Sequence, residues 1–260
     1  MLLVALLPFQ LTGCFFFSRP PVLAPLPAPT VTFDVGVLGK DATGLAAASE
    51  RLCSTLTTHD QKLLGFSLAQ RALAMSPHHT GAAIAVAHCA AVLTEWETDA
   101  ARLETIAQVG LEAGKAAGAP DRDPRASYWM AVNLGLAIQQ RGMAALPLLP
   151  VEMAALKTSQ AAKEIELGGP LRALGMLYLK APSWPAGPGD LDAAMELLKE
   201  AVDTYPSHPL NHLFYAQALR ESGDGGGASK ELARAQELAR PELWGEYAAL
   251  WRAQIQAAAK

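Results

Sequence analysis

Residues 191–241 read LDAAMELLKEAVDTYPSHPLNHLFYAQALRESGDGGGASKELARAQELARP. Ala194, Leu198, Ala201 and Pro206 stand four, three and five residues apart, and thirty-four residues on come Ala228, Leu232 and Ala235, with Pro241 one place late. Steps of three and four place these side chains on one face of a helix, and the proline stops it. A period of this length marks a two-helix unit that buries its apolar face only by stacking on copies of itself.

The pattern extends in both directions. Leu174-Gly175 with Tyr178, and Tyr215-Ala216 with Leu219, form the matching first helices. Upstream, Gly65, Ala69, Ala72 and Pro77 repeat the four-three-five spacing, and Ala87 follows Pro77 by the ten residues that separate Ala216 from Pro206. This period and its small residues resemble the tetratricopeptide repeat (TPR), whose paired helices approach closely at alanine and glycine. Copies around Ala113, Ala116, Pro120 and Ala131 are degraded, and Pro147 and Pro150 interrupt the pattern again. Strand signals are nearly absent, so the expected fold is all-α, an irregular TPR-like helical repeat array (an α-solenoid) of roughly eleven helices. The closing segment 242–260 reads as one helix, with Trp244, Tyr247 and Trp251 covering the last repeat.

From Gly175 to Ala194 is a step of nineteen residues where a regular repeat uses twelve, and the surplus is essentially APSWPAGPGD, 181–190. Insertions in a solenoid emerge on one side of the stack, often the binding side. Trp184 on this proline-stiffened loop reads either as a binding element or as a plug folded over its own helix pair, since indoles serve both purposes.

The chain opens MLLVALLPFQLTGC. The apolar run is too short to span a bilayer and fits the h-region of a signal peptide, although no Lys or Arg precedes it. Leu11-Thr12-Gly13-Cys14 resembles the lipobox of bacterial lipoproteins, in which the cysteine is lipidated. The expected organisation is a signal peptide over 1–13, a tether over 14–30 that starts at lipidated Cys14, and the repeat domain over 31–260. Pro20, Pro21, Pro25, Pro27 and Pro29 favour an extended tether. Phe15, Phe16 and Phe17 suit a membrane interface, and by resemblance to diderm lipoproteins the absence of Asp at position 15 favours the outer membrane, on its periplasmic side.

Composition excludes several classes. The net charge of -4 is spread without long runs, and no basic stripe offers itself to nucleic acid. Cys53 and Cys89 fall on separate predicted helices and read as small buried thiols; an oxidising compartment would allow pairing, but sequence supplies no geometry for it. His208 and His212 have the i, i+4 spacing of a metal pair, yet Pro209 starts the helix and leaves His208 outside it, with no third ligand nearby. His78-His79 reads as a solvated turn, and GDGGG at 223–227 as a turn between repeat helices. With no catalytic motif, no metal site and no cofactor expected, the reading is a protein that is not an enzyme.

GGPLRALGMLYLKAPSWPAGPGDLDAAMELLKEAVDTYPSHPLNHLFYAQAL (168–219) and RASYWMAVNLG (125–135) resemble the TRAP transporter T-component (TatT) lipoproteins. The resemblance implies a periplasm-facing helical lipoprotein with a channel or cavity through the fold. It also implies association with the periplasmic solute-binding protein of a TRAP-type uptake system, and a homotrimer. Candidate ligand- or partner-binding residues are Tyr128, Trp129 and Asn133 on one helix, Arg172, Tyr178 and Trp184, and Asn211, His212 and Tyr215. Arg172 stands in the first turn of its helix, a poor place for a cation, and so calls for a partner carboxylate within the fold or on an acidic ligand. Asn211, His212 and Tyr215 are expected near the inserted loop. The competing reading is an outer-membrane assembly or pilotin-like TPR lipoprotein whose groove holds client peptides. A third, a small-molecule carrier, requires a closed and largely apolar cavity.

Overall fold

The computed structural model describes residues 41–118, 123–141 and 147–260. Cys14, the signal peptide, the tether and its three phenylalanines lie outside the described residues. Among the described residues, twelve α-helices follow in order: α1 (Ala42–Leu52), α2 (His59–Met75), α3 (Thr80–Thr94), α4 (Ala100–Ala116), α5 (Pro124–Arg141), α6 (Leu149–Ser159), α7 (Gly169–Lys180), α8 (Leu191–Thr204), α9 (Pro209–Glu221), α10 (Gly225–Leu238), α11 (Pro241–Trp244) and α12 (Tyr247–Ala258). A 3-10 turn, Gln160–Ala162, extends α6. No strand occurs among the described residues.

Local chemistry starts and stops these helices. Asp41, Asp99, Asp190 and Asp224 cap α1, α4, α8 and α10 by accepting a hydrogen bond from a first-turn backbone N–H. Thr58 and Gln61 form a reciprocal capping box on α2. Pro170, Pro209 and Pro241 occupy first-turn positions where the missing N–H costs nothing. His208 lies just outside α9 and caps it, accepting from the Leu210 N–H at 3.2 Å. His79 caps α3 in the same way and also pairs with the Thr43 hydroxyl at 2.9 Å.

The repeat positions are the packing positions. Ala194, Leu198 and Ala201 on α8 are fully buried, as are Ala216 on α9 and Ala228 and Ala235 on α10. A Cβ added at Gly175 would fall 2.7 Å from Leu198 Cγ, so α7 and α8 meet at the absent side chain. Gly65 does the same on α2 against α1, where a Cβ would meet Cys53 Sγ at 2.7 Å. The degraded middle keeps the device in a different register: Gly110 faces Asn133 and Gly114 faces Met130 across α4 and α5. Consecutive helices pack as hairpins, and alternate helices touch as well: α1 with α3, α3 with α5, and α7 with α9. These odd-numbered helices form an inner layer. Ala-rich α3, buried along almost its whole length, is its centre.

Three sequence expectations are corrected. Cys53 and Cys89 are buried as expected, but they form a disulfide, with Cα atoms 5.4 Å apart. The direct packing of α1 on α3, which no local pattern reveals, brings them together. Gly225–Gly227 do not form a turn; capped by Asp224, they are the first turn of α10. The closing segment is two helices, because Gly245 takes φ +53 between α11 and α12 and turns the chain.

That turn sends α12 back to the beginning of the array. The His59 backbone N–H donates to Glu246 Oε2 at 2.8 Å, and the Trp96 and Tyr247 rings meet edge to face with centroids 4.4 Å apart. A Cβ placed on Gly245 would lie 3.7 Å from the Leu56 backbone. The last helix therefore closes the solenoid onto its first repeat.

Candidate functional site

Two features stand out once the array is closed: the inserted loop on its rim and a cluster of polar and aromatic side chains, among them buried Lys62, Arg172, Asn211 and Trp251. The loop is pinned by its own backbone. Gly189 N–H donates to Pro182 O at 2.8 Å, Ala186 N–H to Ser183 O at 3.1 Å, and Asp190 N–H to Tyr178 O at 3.0 Å. Gly187 and Gly189 let the two arms of the loop touch, since a Cβ at Gly189 would lie 2.2 Å from Ala181 O. The product is an ordered turn that holds Trp184 out in water with 87% of its surface exposed. It does not fold back as a plug.

The inner site is assembled from α2, the residues that follow α3, the turn before α7, α7, α9, and the closing helices α11 and α12. Glu166, Leu167 and Gly168 adopt consecutive left-handed conformations, with φ of 50°, 49° and 97°. Only the glycine takes this conformation without strain. The geometry turns the carbonyls of Glu166 and Leu167 toward Arg172 Nη1, which donates to both at 3.0 Å and to Asn211 Oδ1 at 2.8 Å. Asn211, fully buried, donates in turn to the carbonyls of Leu167, Ala201 and Tyr205. Arg172 is 4% exposed, and burial lowers its pKa from the ordinary value. The carboxylate of Glu166 is 3.9 Å from Nη2 and makes no hydrogen bond with it. The partner that the cation called for is therefore chiefly a set of neutral oxygens.

The site also holds an aromatic cluster, buried Lys62 and the carboxyl of Glu95. The Tyr247 and Trp251 centroids are 5.0 Å apart, those of Trp251 and Trp244 5.2 Å, and His208 packs against Trp251 at 5.1 Å. Lys62 Nζ sits over the rings of Trp96 and Tyr247 at 5.1 and 5.0 Å and donates to the Thr57 carbonyl. Burial brings its pKa down to about 8, against the pull of Glu246 and Glu95. Glu95, directly after α3, is pushed up to about 8 by burial first and by the charge of Glu166 second. It keeps solvent-accessible surface nonetheless. His208 is held below its ordinary value by burial and by Arg172, which keeps the imidazole neutral.

The residues singled out in the sequence distribute unevenly over these features. Arg172 and Asn211 belong to the inner site. Tyr128 supports it from beneath, its hydroxyl lying against the backbone of Gly169 at the start of α7. Trp129 is buried and stacks on His88 at 4.3 Å, and Asn133 is buried and donates to the carbonyls of Ala87 and Trp129. His212 is buried between Glu231, at 2.6 Å, and the Pro206 carbonyl, at 2.8 Å. Tyr178 and Tyr215 are half-buried, and Trp184 stands alone on the rim. The hydrogen bonds of Asn211 and His212 run to Leu167, Ala201, Tyr205, Pro206, Arg172 and Glu231, none of them in the inserted loop. The sequence reading missed Lys62, Glu95, Trp96 and Glu166. Their signal was a lone charge, or a charge beside an indole, in otherwise apolar helical text: KLLGF and AAVLTEW.

Among the described residues no three His, Cys, Asp or Glu side chains cluster as metal ligands, and no helix is long and apolar enough to cross a membrane.

Residues 186–255 match the family model of the tetratricopeptide repeat. The match begins in the inserted loop, runs through α8 to α11 and ends within α12. Together with the all-helical stack, it gives the fold: an all-α, TPR-like helical-repeat array. No match to the sequence was found among curated proteins.

Proposed function

We propose that this chain is a lipid-anchored scaffold on the periplasmic side of the outer membrane, docking the solute-binding protein of a TRAP-type uptake system. The observation that carries the reading is Trp184, projected on a hydrogen-bonded loop at the rim of the closed array. Interface energy concentrates in a few aromatic anchors, and an ordered loop loses little further entropy when it docks. The Cys53–Cys89 disulfide suits an oxidising compartment, and the lipobox-like Leu11-Thr12-Gly13-Cys14 supplies the anchor.

The test uses the full-length lipidated chain as bait in bacterial envelope extract, with and without Trp184→Ala. The expected result is retention of a periplasmic solute-binding protein by the native chain and a loss of at least about tenfold with the variant. The variant's thermal midpoint should stay within about 2 °C, because an exposed side chain contributes little to folding. Recovery of barrel-assembly, secretin or pilus components in place of a solute-binding protein would assign the scaffold to envelope assembly instead.

A further inference from the structure

The loop that carries Trp184 shares an edge of the array with an open groove of about 470 Å³. Both sit where α7, α9 and α12 end. Lys180, Arg220 and the pair Ala257 and Ala258, from the last turns of those helices, rim the groove, and Leu213 and Phe214 on α9 give it an apolar floor. The inserted loop begins directly after Lys180, so the Trp184 backbone is within about 14 Å of the Lys180 backbone. A groove of this volume is in the range of sites that take a ring system. Its own chain does not fill it with Trp184, because the loop's hydrogen bonds leave 87% of that residue in water. Charge divides the same edge. On the groove side Lys180 and Arg220 are exposed, make no ion pair or side-chain hydrogen bond among the described residues, and outnumber Glu221. On the loop side Asp192 and Glu196, one turn apart on α8, are exposed and equally unpaired. Each pair suits its own helix end, cations at C-termini and acids near an N-terminus, and the same placement leaves the edge polarised. An indole beside an apolar groove, with acid on one side and base on the other, makes a surface complementary to its own copy after a two-fold rotation.

We infer that this edge is a homodimer interface: two copies pair about a two-fold axis, each Trp184 entering the other's groove, with Asp192 and Glu196 of each facing Lys180 and Arg220 of the other. The indole gains apolar burial against Leu213 and Phe214 and a cation–π contact with the rim. Each indole buries about 150–250 Å², so two indoles and the walls they cover remove about 600–1,000 Å² from water. That is less than a standard stable interface, and the pair is accordingly weak, with a dissociation constant on the order of 10–100 μM. The chain's own segment 15–40 is a poorer occupant, because its charged residues, Arg19, Asp34 and Lys40, sum to a positive charge and would meet the two cations. The pair differs from the homotrimer that the family resemblance implies, both in symmetry and in its dependence on Trp184. It covers the residue through which a solute-binding protein is proposed to dock, so monomers are the docking form. The inference does not rest on that docking, and its test contains no partner protein.

Sedimentation equilibrium of the full-length chain in density-matched detergent tests it, over a concentration series that brackets the expected dissociation constant. A reversible monomer–dimer equilibrium is expected, weakening as salt is raised. Trp184→Ala should weaken pairing at least about tenfold. The deciding variants reverse charge: Lys180→Glu with Arg220→Glu on the groove side, and Asp192→Lys with Glu196→Lys on the loop side. Each variant alone should lose pairing, because like charges then face each other. An equimolar mixture of the two should recover the native affinity, because each reversed side meets its opposite. All five positions are exposed, so helicity should stay native, which circular dichroism checks. If a charge variant loses helicity, the native series and Trp184→Ala decide. A monomer throughout the series, a threefold assembly, unaltered pairing in Trp184→Ala, or no recovery on mixing would each overturn the interface.

Discussion

The disulfide gives the sharpest stability prediction. It joins Cys53, at the end of α1, to Cys89, midway along α3, across a sequence separation of 36 residues. Loop closure of that length removes about 13 cal/mol/K of entropy from the unfolded chain, or about 4 kcal/mol at 25 °C. For a domain of this size, 1 kcal/mol moves the midpoint by about 2–4 °C, so losing the bond should lower it by about 8–16 °C. The folded state offers little to offset this: Cys53 Sγ fills the space over Gly65, and both sulfurs are sealed from water. Circular dichroism melts of the purified chain, with and without a phosphine reductant, read the difference directly. Cys53→Ala/Cys89→Ala should melt where the reduced protein melts and lose its response to reductant. If reductant leaves the native midpoint unmoved, or if two thiols titrate in the unreduced native protein, the bond does not form. The support it gives to an oxidising compartment then falls with it.

Three further outcomes follow from packing and charge. Asn211→Ala should cost about 3 kcal/mol, because it takes one hydrogen bond from each of three carbonyls and removes the side-chain acceptor of buried Arg172; a denaturant titration measures it. Gly175→Ala should cost about 1–3 kcal/mol, because the new methyl would press into Leu198 at 2.7 Å; the same titration would refute this with an unchanged or raised midpoint. Glu152 is buried over Gly135 and pushed up to about 7 by desolvation, whereas its ordinary value is 4.5. Between those values the unfolded chain has released a proton that the folded chain still holds, so this group's contribution declines as pH rises through about 7. Glu152→Gln should therefore melt higher than the native chain at pH 8 and lose part of the decline between about pH 5 and 8; parallel melts across that range check it.

What could be read from the sequence divides along a physical line. The repeat was legible because its information is local: Ala194, Leu198 and Ala201 recur at fixed spacing, and each is buried where the period puts it. The caps were legible for the same reason, as with Pro209 opening α9 and leaving His208 outside. The length excess before α8 showed where the inserted loop lay, but not which way its indole faced, because loop and plug share one composition. The disulfide and the inner site depend on contacts between residues far apart in the chain. Cys53 meets Cys89 only because α1 packs on α3, and Tyr247 meets Trp96 only because Gly245 turns α12 back onto the first repeat.

Ring closure also explains why the misplaced charges are where they are. An open solenoid leaves its concave face in water, where Lys62 and Glu95 would be ordinary surface residues with nothing to move their protonation. Closing the array with α12 sets Tyr247 over Lys62 and Trp251 beside Glu95, and desolvation brings the lysine down, and pushes the carboxyl up, to about 8. The aromatic triplet Trp244, Tyr247 and Trp251, which as text reads only as a cap on the last repeat, thus has two faces. Trp244 is fixed by donating to the Leu238 carbonyl at 3.0 Å, whereas the Trp251 N–H faces the Glu95 carboxyl and favours its charged form. Two neighbouring indoles of the same chemistry thus serve different contacts: one ties the cap to the end of α10, the other meets the charge that follows α3.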